Sequence, residues 1–259
     1  MPKILKLTSL FTCLILISCD ADNKTENAIN YDDLISTALN NPARAESNSS
    51  RDGARKPGEV IKFMGVMPGM TVLDMVSNGG FYAEILASVV GDQGKIIAHT
   101  FAGNESKSDF EYAQYINDSE HMKNVELMYA NFGEIELNEN TIDRVFIVQN
   151  YHDMYFDREG YGVDDVQPVL AMIRKGLKPG GIMAIIDHEA QKGAPSSTGT
   201  TLHRISSDVV IADMKEAGFE LAGSLDVLSN NDDDMSKGVF DPSVRGKTNR
   251  FVLKFVSPD

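Results

Sequence analysis

The sequence predicts an α/β fold: a mostly parallel seven-stranded sheet with an antiparallel pair at one edge and helices on both faces. Three observations carry this expectation. Short apolar runs alternate with amphipathic helical stretches from about Val60 to the C-terminus. Turn signals separate them, at Pro68-Gly69, Asn78-Gly79-Gly80 and Lys178-Pro179-Gly180-Gly181. The last two apolar runs are joined by a polar loop rather than a helix, which suits an antiparallel pair.

In chain order, the pattern predicts a helix over 57–66, where Pro57 fits a first turn and Val60, Ile61 and Met64 share a face. A buried strand follows over 71–75, then a glycine-rich turn and a helix over 82–90. Strands are expected over 95–99, 125–129 and 144–149. A helix over 166–177 ends at the turn 178–181, which leads into a fifth strand over 182–186. A helix over 208–217 stops at Gly218, as helices often do at glycine. Strands over 219–228 and 251–256 complete the sheet.

The 259 residues include 42% apolar side chains, enough for one sizeable core. The net charge of −14 is spread along the chain and repels phosphate backbones, so nucleic acid is not an expected partner. Both cysteines, Cys13 and Cys19, fall in the first 20 residues, which leaves none for a disulfide further on.

The N-terminus reads as an export signal. Lys3 and Lys6 precede an apolar run over 7–17, shorter than the roughly 20 residues a spanning helix needs. Leu16-Ile17-Ser18-Cys19 then resembles the lipobox of bacterial lipoproteins, which implies acylation of Cys19. The expected organisation is a signal peptide over 1–18, a lipid-anchored tether over 19–43 containing a short helix near 31–39, and one domain over 44–259. The protein is expected at the periplasmic face of the bacterial envelope, and Asp20 favours the inner membrane.

The strand-turn-helix stretch Val72-Leu73-Asp74-Met75-Val76-Ser77-Asn78-Gly79-Gly80-Phe81-Tyr82 carries a family resemblance. With the turn at 178–181 and the late strand pair, it resembles the Rossmann-like class I S-adenosylmethionine (SAM) methyltransferases. From about Arg51 onward it resembles a bacterial subgroup of predicted methyltransferases. The resemblance implies SAM as cofactor, with Asp74, Ser77, Asn78, Gly79 and Gly80 at its methionine end. Thr100 is expected near the ribose, Asn131 near the adenine, and Asn150 beside the cofactor. Two positions depart from the pattern: Val76 stands where glycine is usual, and Thr100 stands where the family places a carboxylate. An exported enzyme would also need a supply of this charged cofactor. An alternative therefore stays open, in which the fold binds a ligand without methyl transfer.

Side chains at the carboxyl ends of parallel strands face the ligand crevice. This rule places His152, with Asp153 or Asp187 to orient it, as the group that removes a proton from a small-molecule acceptor. Tyr82, Tyr151, His188, His203 and Arg204 are expected on the substrate rim. No HExxH-like spacing occurs, and Asp232-Asp233-Asp234 lacks the spaced ligands of a calcium loop, so no metal is expected. The sequence leaves the oligomeric state open.

Overall fold

The apolar runs assemble into one sheet in the computed structural model, which describes residues 30–102, 107–156 and 162–258. Cys19, the signal sequence and the start of the tether lie outside these residues. The strands are β1 (Thr71–Met75), β2 (Lys95–Thr100), β3 (Val125–Tyr129), β4 (Ile142–Val148), β5 (Leu177–His188), β6 (Glu220–Ser224) and β7 (Arg250–Val256). Their spatial order is β3-β2-β1-β4-β5-β7-β6. The first five pair in parallel, and β7 runs antiparallel between β5 and β6.

The helices are α1 (Tyr31–Leu39), α2 (Glu46–Ser49), α3 (Asp52–Arg55), α4 (Pro57–Met64), α5 (Phe81–Val90), α6 (Lys107–Asp118), α7 (Gln167–Gly176), α8 (Thr198–Leu202) and α9 (Ser207–Glu216). They cover both faces of the sheet. Val60, Ile61 and Met64 of α4 and Ile85, Leu86 and Val89 of α5 share one apolar cluster with Val72 and Ile96. Val169, Leu170 and Ile173 of α7 and Val210 and Met214 of α9 share the other with Leu73 and Val145. Val72 and Leu73 thus point to opposite clusters, as adjacent residues of a doubly covered strand must.

Three local differences from the expected elements have physical causes. Residues 178–181 form no separating turn. They are absorbed into β5 as a bulge, with Ile142 opposite Leu177 and Arg144 opposite Ile182. Gly180 takes φ 72° there, and Gly180 and Gly181 still exchange backbone hydrogen bonds with Ser257. β6 stops at Ser224, and Asp226–Leu228 closes into a 3-10 turn instead of extending the strand. Helix α1, inside the stretch read as tether, packs on α4 and α5, so the compact unit begins at Tyr31.

The topology sets the crevice. From β1 the chain builds outward through β2 and β3, then returns to β4 on the other side of β1. The carboxyl ends of β1 and β4 are where this order reverses, and connections leaving in opposite directions open a cleft there.

Candidate functional site

The turn from β1 to α5 is unusual in its backbone. Val76, Asn78, Gly79 and Gly80 all have positive φ, at 52°, 36°, 76° and 74°. Asparagine and glycine accept this region readily, but a β-branched valine does so only under strain. Val76 is held there by its neighbours. Its N–H donates to His99 Nδ1 at 3.1 Å, and Ser77 N–H donates to the His99 carbonyl at 2.8 Å. Gly80 is required by space as well, since a Cβ there would lie 2.4 Å from the Tyr112 ring.

This turn presents Asp74. Its carboxylate accepts the Ser77 hydroxyl at 2.7 Å, and Ser77 in turn accepts the Tyr112 hydroxyl at 2.8 Å. Burial pushes Asp74 up to about 7. The Ser77 hydroxyl, the Ala83 amide and the Arg55 charge pull the other way without cancelling it. A carboxylate so short of compensation is poised to receive a cation.

Asp74 lines a cavity of about 400 Å³ together with Arg55, Val76, Ser77, Asn78, Phe81 and Tyr82. The opposite wall comes from the ends of β4 and β5. Gln149 takes φ 59°, its N–H donates to the Ile186 carbonyl at 2.7 Å, and His152–Tyr155 forms a 3-10 turn. That turn aims Asn150, His152 and Asp153 into the cavity, beside His188 and His203.

His152 and Asp187 form a buried pair. Asp187 accepts His152 Nδ1 at 2.9 and 3.0 Å on its two oxygens, the His152 N–H at 2.9 Å and the His188 N–H at 2.7 Å. Burial works against the Asp187 charge, but His152 and these donors outweigh it and hold the carboxyl below its ordinary range. Burial likewise opposes a charged His152, yet Asp187 and Asp153 hold the imidazole above its ordinary value. Its Nε2 lies 3.3 Å from Asp153 Oδ1. Asp153 is raised by burial and accepts Asn150 Nδ2 at 2.8 Å. His188 is hydrogen-bonded to Thr248 Oγ1 at 2.7 Å, and burial drives it down to about 3, so it stays neutral. The His203 ring sits 5.5 Å from His152 and 4.9 Å from Phe240, which is 61% exposed at the cavity mouth.

The structure thus gathers Asp74, Ser77, Asn78, Tyr82, Asn150, His152, Asp153, His188 and His203 around one cavity, with Asp187 behind His152. Gly79 and Gly80 shape the turn. Four expected residues do not line it. Thr100 is buried, and its carbonyl accepts the Ala130 N–H. Asn131 caps the 3-10 turn Phe132–Glu134, where its side chain bonds Glu134. Tyr151 is wholly buried and donates to Asp213 at 2.9 Å. Arg204 is wholly buried as well. It pairs with Asp233 at 2.9 Å and donates to the carbonyls of Glu189 and Lys237. Among the described residues, no group of three or more His, Cys, Asp or Glu is placed to hold a metal.

Other lining residues lay outside the sequence expectation: Arg55, Gln149, Phe156 and Phe240. Each comes from a loop or a four-residue helix, so no periodicity marks it. The role of His99 was also not evident. Its Nε2 bonds the Ala130 carbonyl at 3.0 Å while Nδ1 accepts from Val76, which fixes the neutral tautomer. Burial lowers its pKa to about 4.

A doubly wound sheet with an acid and a glycine turn at its switch point is the arrangement of class I methyltransferases. A family model described as a methyltransferase domain matches residues 67–232, and the chain belongs to that family. A demethylmenaquinone methyltransferase of Bacillus cereus (strain B4264) is 29% identical over 126 residues, covering 48% of this chain and 46% of the relative. The chain thus spans about half the length of the curated relatives it matches. Among solved structures, a SAM-dependent methyltransferase from Aquifex aeolicus aligns with TM-score 0.57 and 23% identity, over 88% of this chain and 99% of that one. A cyclase aligns with TM-score 0.57 and 15% identity, over 85% of each chain. Similarity at that level establishes the fold, and the cyclase shows that the fold alone does not fix the chemistry.

SAM is the cofactor that membership implies, and the residues present fit its amino-acid end. Asp74 is a buried, under-compensated carboxylate on the cavity wall, suited to an ammonium group, and the positive-φ turn brings backbone to the same wall. Among the described residues, no carboxylate after β2 lines that wall.

Proposed function

We propose that this protein transfers a methyl group from SAM to an oxygen or nitrogen of a small acceptor, with His152 as the proton acceptor. The observation that carries the reading is that the His152–Asp187 pair and the Asp74 turn line or abut the same cavity. Asp74, Ser77, Asn78 and the backbone at Gly79 and Gly80 would hold the cofactor. When bound, SAM supplies an electrophilic methyl group on a sulfonium.

The chain's own residues then supply the rest. Asp187 holds the His152 ring by Nδ1, which leaves Nε2 as the basic nitrogen, beside Asp153 on the cavity lining. Nε2 takes the proton of an acceptor hydroxyl or amine as the nucleophile attacks, and Asp187 stabilises the imidazolium that forms. The cavity walls fix the acceptor in line, and this positioning supplies the remaining advantage. Asn150 orients Asp153 toward Nε2.

The competing reading is a binding module without methyl transfer, which the burial of Thr100 favours. Calorimetric titration of the full chain with SAM separates the two. Micromolar binding that Asp74→Ala abolishes supports the enzyme, and no heat at millimolar SAM rejects it.

We also propose that the protein is exported and anchored through acylated Cys19. Lys3, Lys6, the apolar run over 7–17 and Ser18-Cys19 support this. Labelling with a fatty-acid probe should be lost in Cys19→Ala; equal labelling of both proteins rejects Cys19 as the acceptor.

A further inference from the structure

We infer that Arg55 is a carboxylate-binding residue of the cavity, lining it together with the Asp74 cation site. The inference rests on the reading of Asp74 as a cation site, and Arg55 lies outside the residues that the methyltransferase family model matches.

Arg55 ends α3. Lys56 then takes φ 46°, and Pro57 opens α4. This reversal leaves the Arg55 side chain on the cavity wall with Asp74. The guanidinium is fixed there on two sides. It stacks 4.7 Å from the ring centre of Phe81, the first residue after the glycine turn, and its Nη2 donates to Gln149 Oε1 at 3.0 Å. It is therefore tied to both walls of the crevice, one through Phe81 and the other through Gln149.

Its charge is not matched by the protein. Arg44 and Arg204 each grip a carboxylate with two nitrogens, Asp52 and Asp233 respectively. Arg55 makes no ion pair among the described residues, and its hydrogen-bonded partner there is a neutral amide. Burial, then the charges of Arg51 and Arg250, lower it to about 10, which still leaves it charged at neutral pH. Three guanidinium groups thus share one corner of a chain whose net charge is −14. A cation desolvated in this way lowers its free energy by accepting a forked carboxylate, the geometry guanidinium suits best. Asp74 and Arg55 feel one another's charge without an ion pair, so each remains available to a ligand.

The carboxylate could come from the amino-acid end of the cofactor or from the acceptor, and the experiment separates the two. The full chain and Arg55→Gln are titrated by calorimetry with S-adenosylhomocysteine and with 5′-methylthioadenosine, which keeps the adenosine and thioether but lacks the amino-acid end. Benzoate is added at millimolar concentration in a thermal-shift assay as a free carboxylate. If the cofactor's carboxylate is bound, Arg55→Gln weakens S-adenosylhomocysteine at least tenfold and leaves 5′-methylthioadenosine unchanged. If the acceptor's is bound, both nucleosides bind the two proteins alike, while the benzoate shift is lost in Arg55→Gln. Both results support the inference. Equal behaviour of the two proteins toward all three probes overturns it and leaves the Asp74 reading standing. Failure of both nucleosides to bind the unaltered chain overturns the Asp74 reading and the inference with it. Should Arg55→Gln not fold, the unaltered protein still decides. Added salt must weaken S-adenosylhomocysteine or the benzoate shift more than 5′-methylthioadenosine, and an equal effect on all three overturns the inference.

Discussion

The two flanks of β1 began with the same promise and ended differently. On the β4–β5 flank, the strand ends deliver Asn150, His152, Asp153 and His188 to an open cavity. On the β2 flank, the last residues of β2, His99 and Thr100, are buried. His99 bridges the Val76 amide and the Ala130 carbonyl, and Phe101 and Phe132 meet edge to face at 5.0 Å beside it. Thr100 is buried in that packing. A strand end points toward the crevice by topology, but what packs after it decides whether its side chain meets a ligand. Where a turn of polar residues follows, the end stays open. Where aromatic residues follow, it closes and becomes part of the core.

The largest effect should fall on the open flank. His152→Ala should slow transfer of labelled methyl groups to a panel of small hydroxyl and amine acceptors by about 10²–10⁴-fold. Binding of S-adenosylhomocysteine, measured by calorimetry, should stay within about threefold, because base and cofactor turn lie on opposite walls. The rate should also rise with pH and level off only above the ordinary histidine range, because the active base is neutral His152 and its pKa is raised. A fully active His152→Ala removes this residue from the mechanism.

On the β2 flank the same kind of change should cost stability instead. Thr100→Asp restores the family's carboxylate but places it in a buried setting, at a cost of about 3 kcal/mol or more in urea unfolding. S-adenosylhomocysteine should bind no more tightly. Tighter binding without loss of stability would show that the flank opens to the ligand and would dissolve the contrast.

The smallest effect lies at the hinge between the flanks. Val76→Gly removes the strain of a left-handed valine, worth about 1–2 kcal/mol. It also removes a buried side chain worth about 1.5–3 kcal/mol and adds unfolded-state freedom worth roughly 0.5–1 kcal/mol. The balance is a net loss of roughly 1.5 kcal/mol. A net gain would mean that strain, not packing, dominates at this turn.

These two flanks also show what the sequence made legible. The mostly parallel sheet and its antiparallel edge followed from apolar runs and turn residues, because periodicity reports burial directly. Asp74, Ser77, Asn78, His152, Asp153 and His188 were legible as cavity residues because they lie at or just after the carboxyl ends of β1, β4 and β5. Thr100, Asn131, Tyr151 and Arg204 lie off the cavity lining, because position along the chain does not fix the direction of a side chain. Tyr151 and Arg204 found buried carboxylates, Asp213 and Asp233, that no local pattern announces. Arg55 and Phe240 reach the cavity from sequence regions far from it, so only tertiary packing reveals them.

The proposed role of Asp74 is to receive the cationic end of the cofactor on the open side of β1. It is tested most directly by the pH dependence of S-adenosylhomocysteine binding to the full chain. Without ligand, burial holds Asp74 near 7, so below that pH the carboxyl is protonated and must lose its proton to pair with an ammonium. Affinity should be level above pH 7 and fall about tenfold per pH unit below it, and Asp74→Asn should bind weakly with no such slope. Binding that is independent of pH from 5 to 8, and equal in Asp74→Asn, would contradict it.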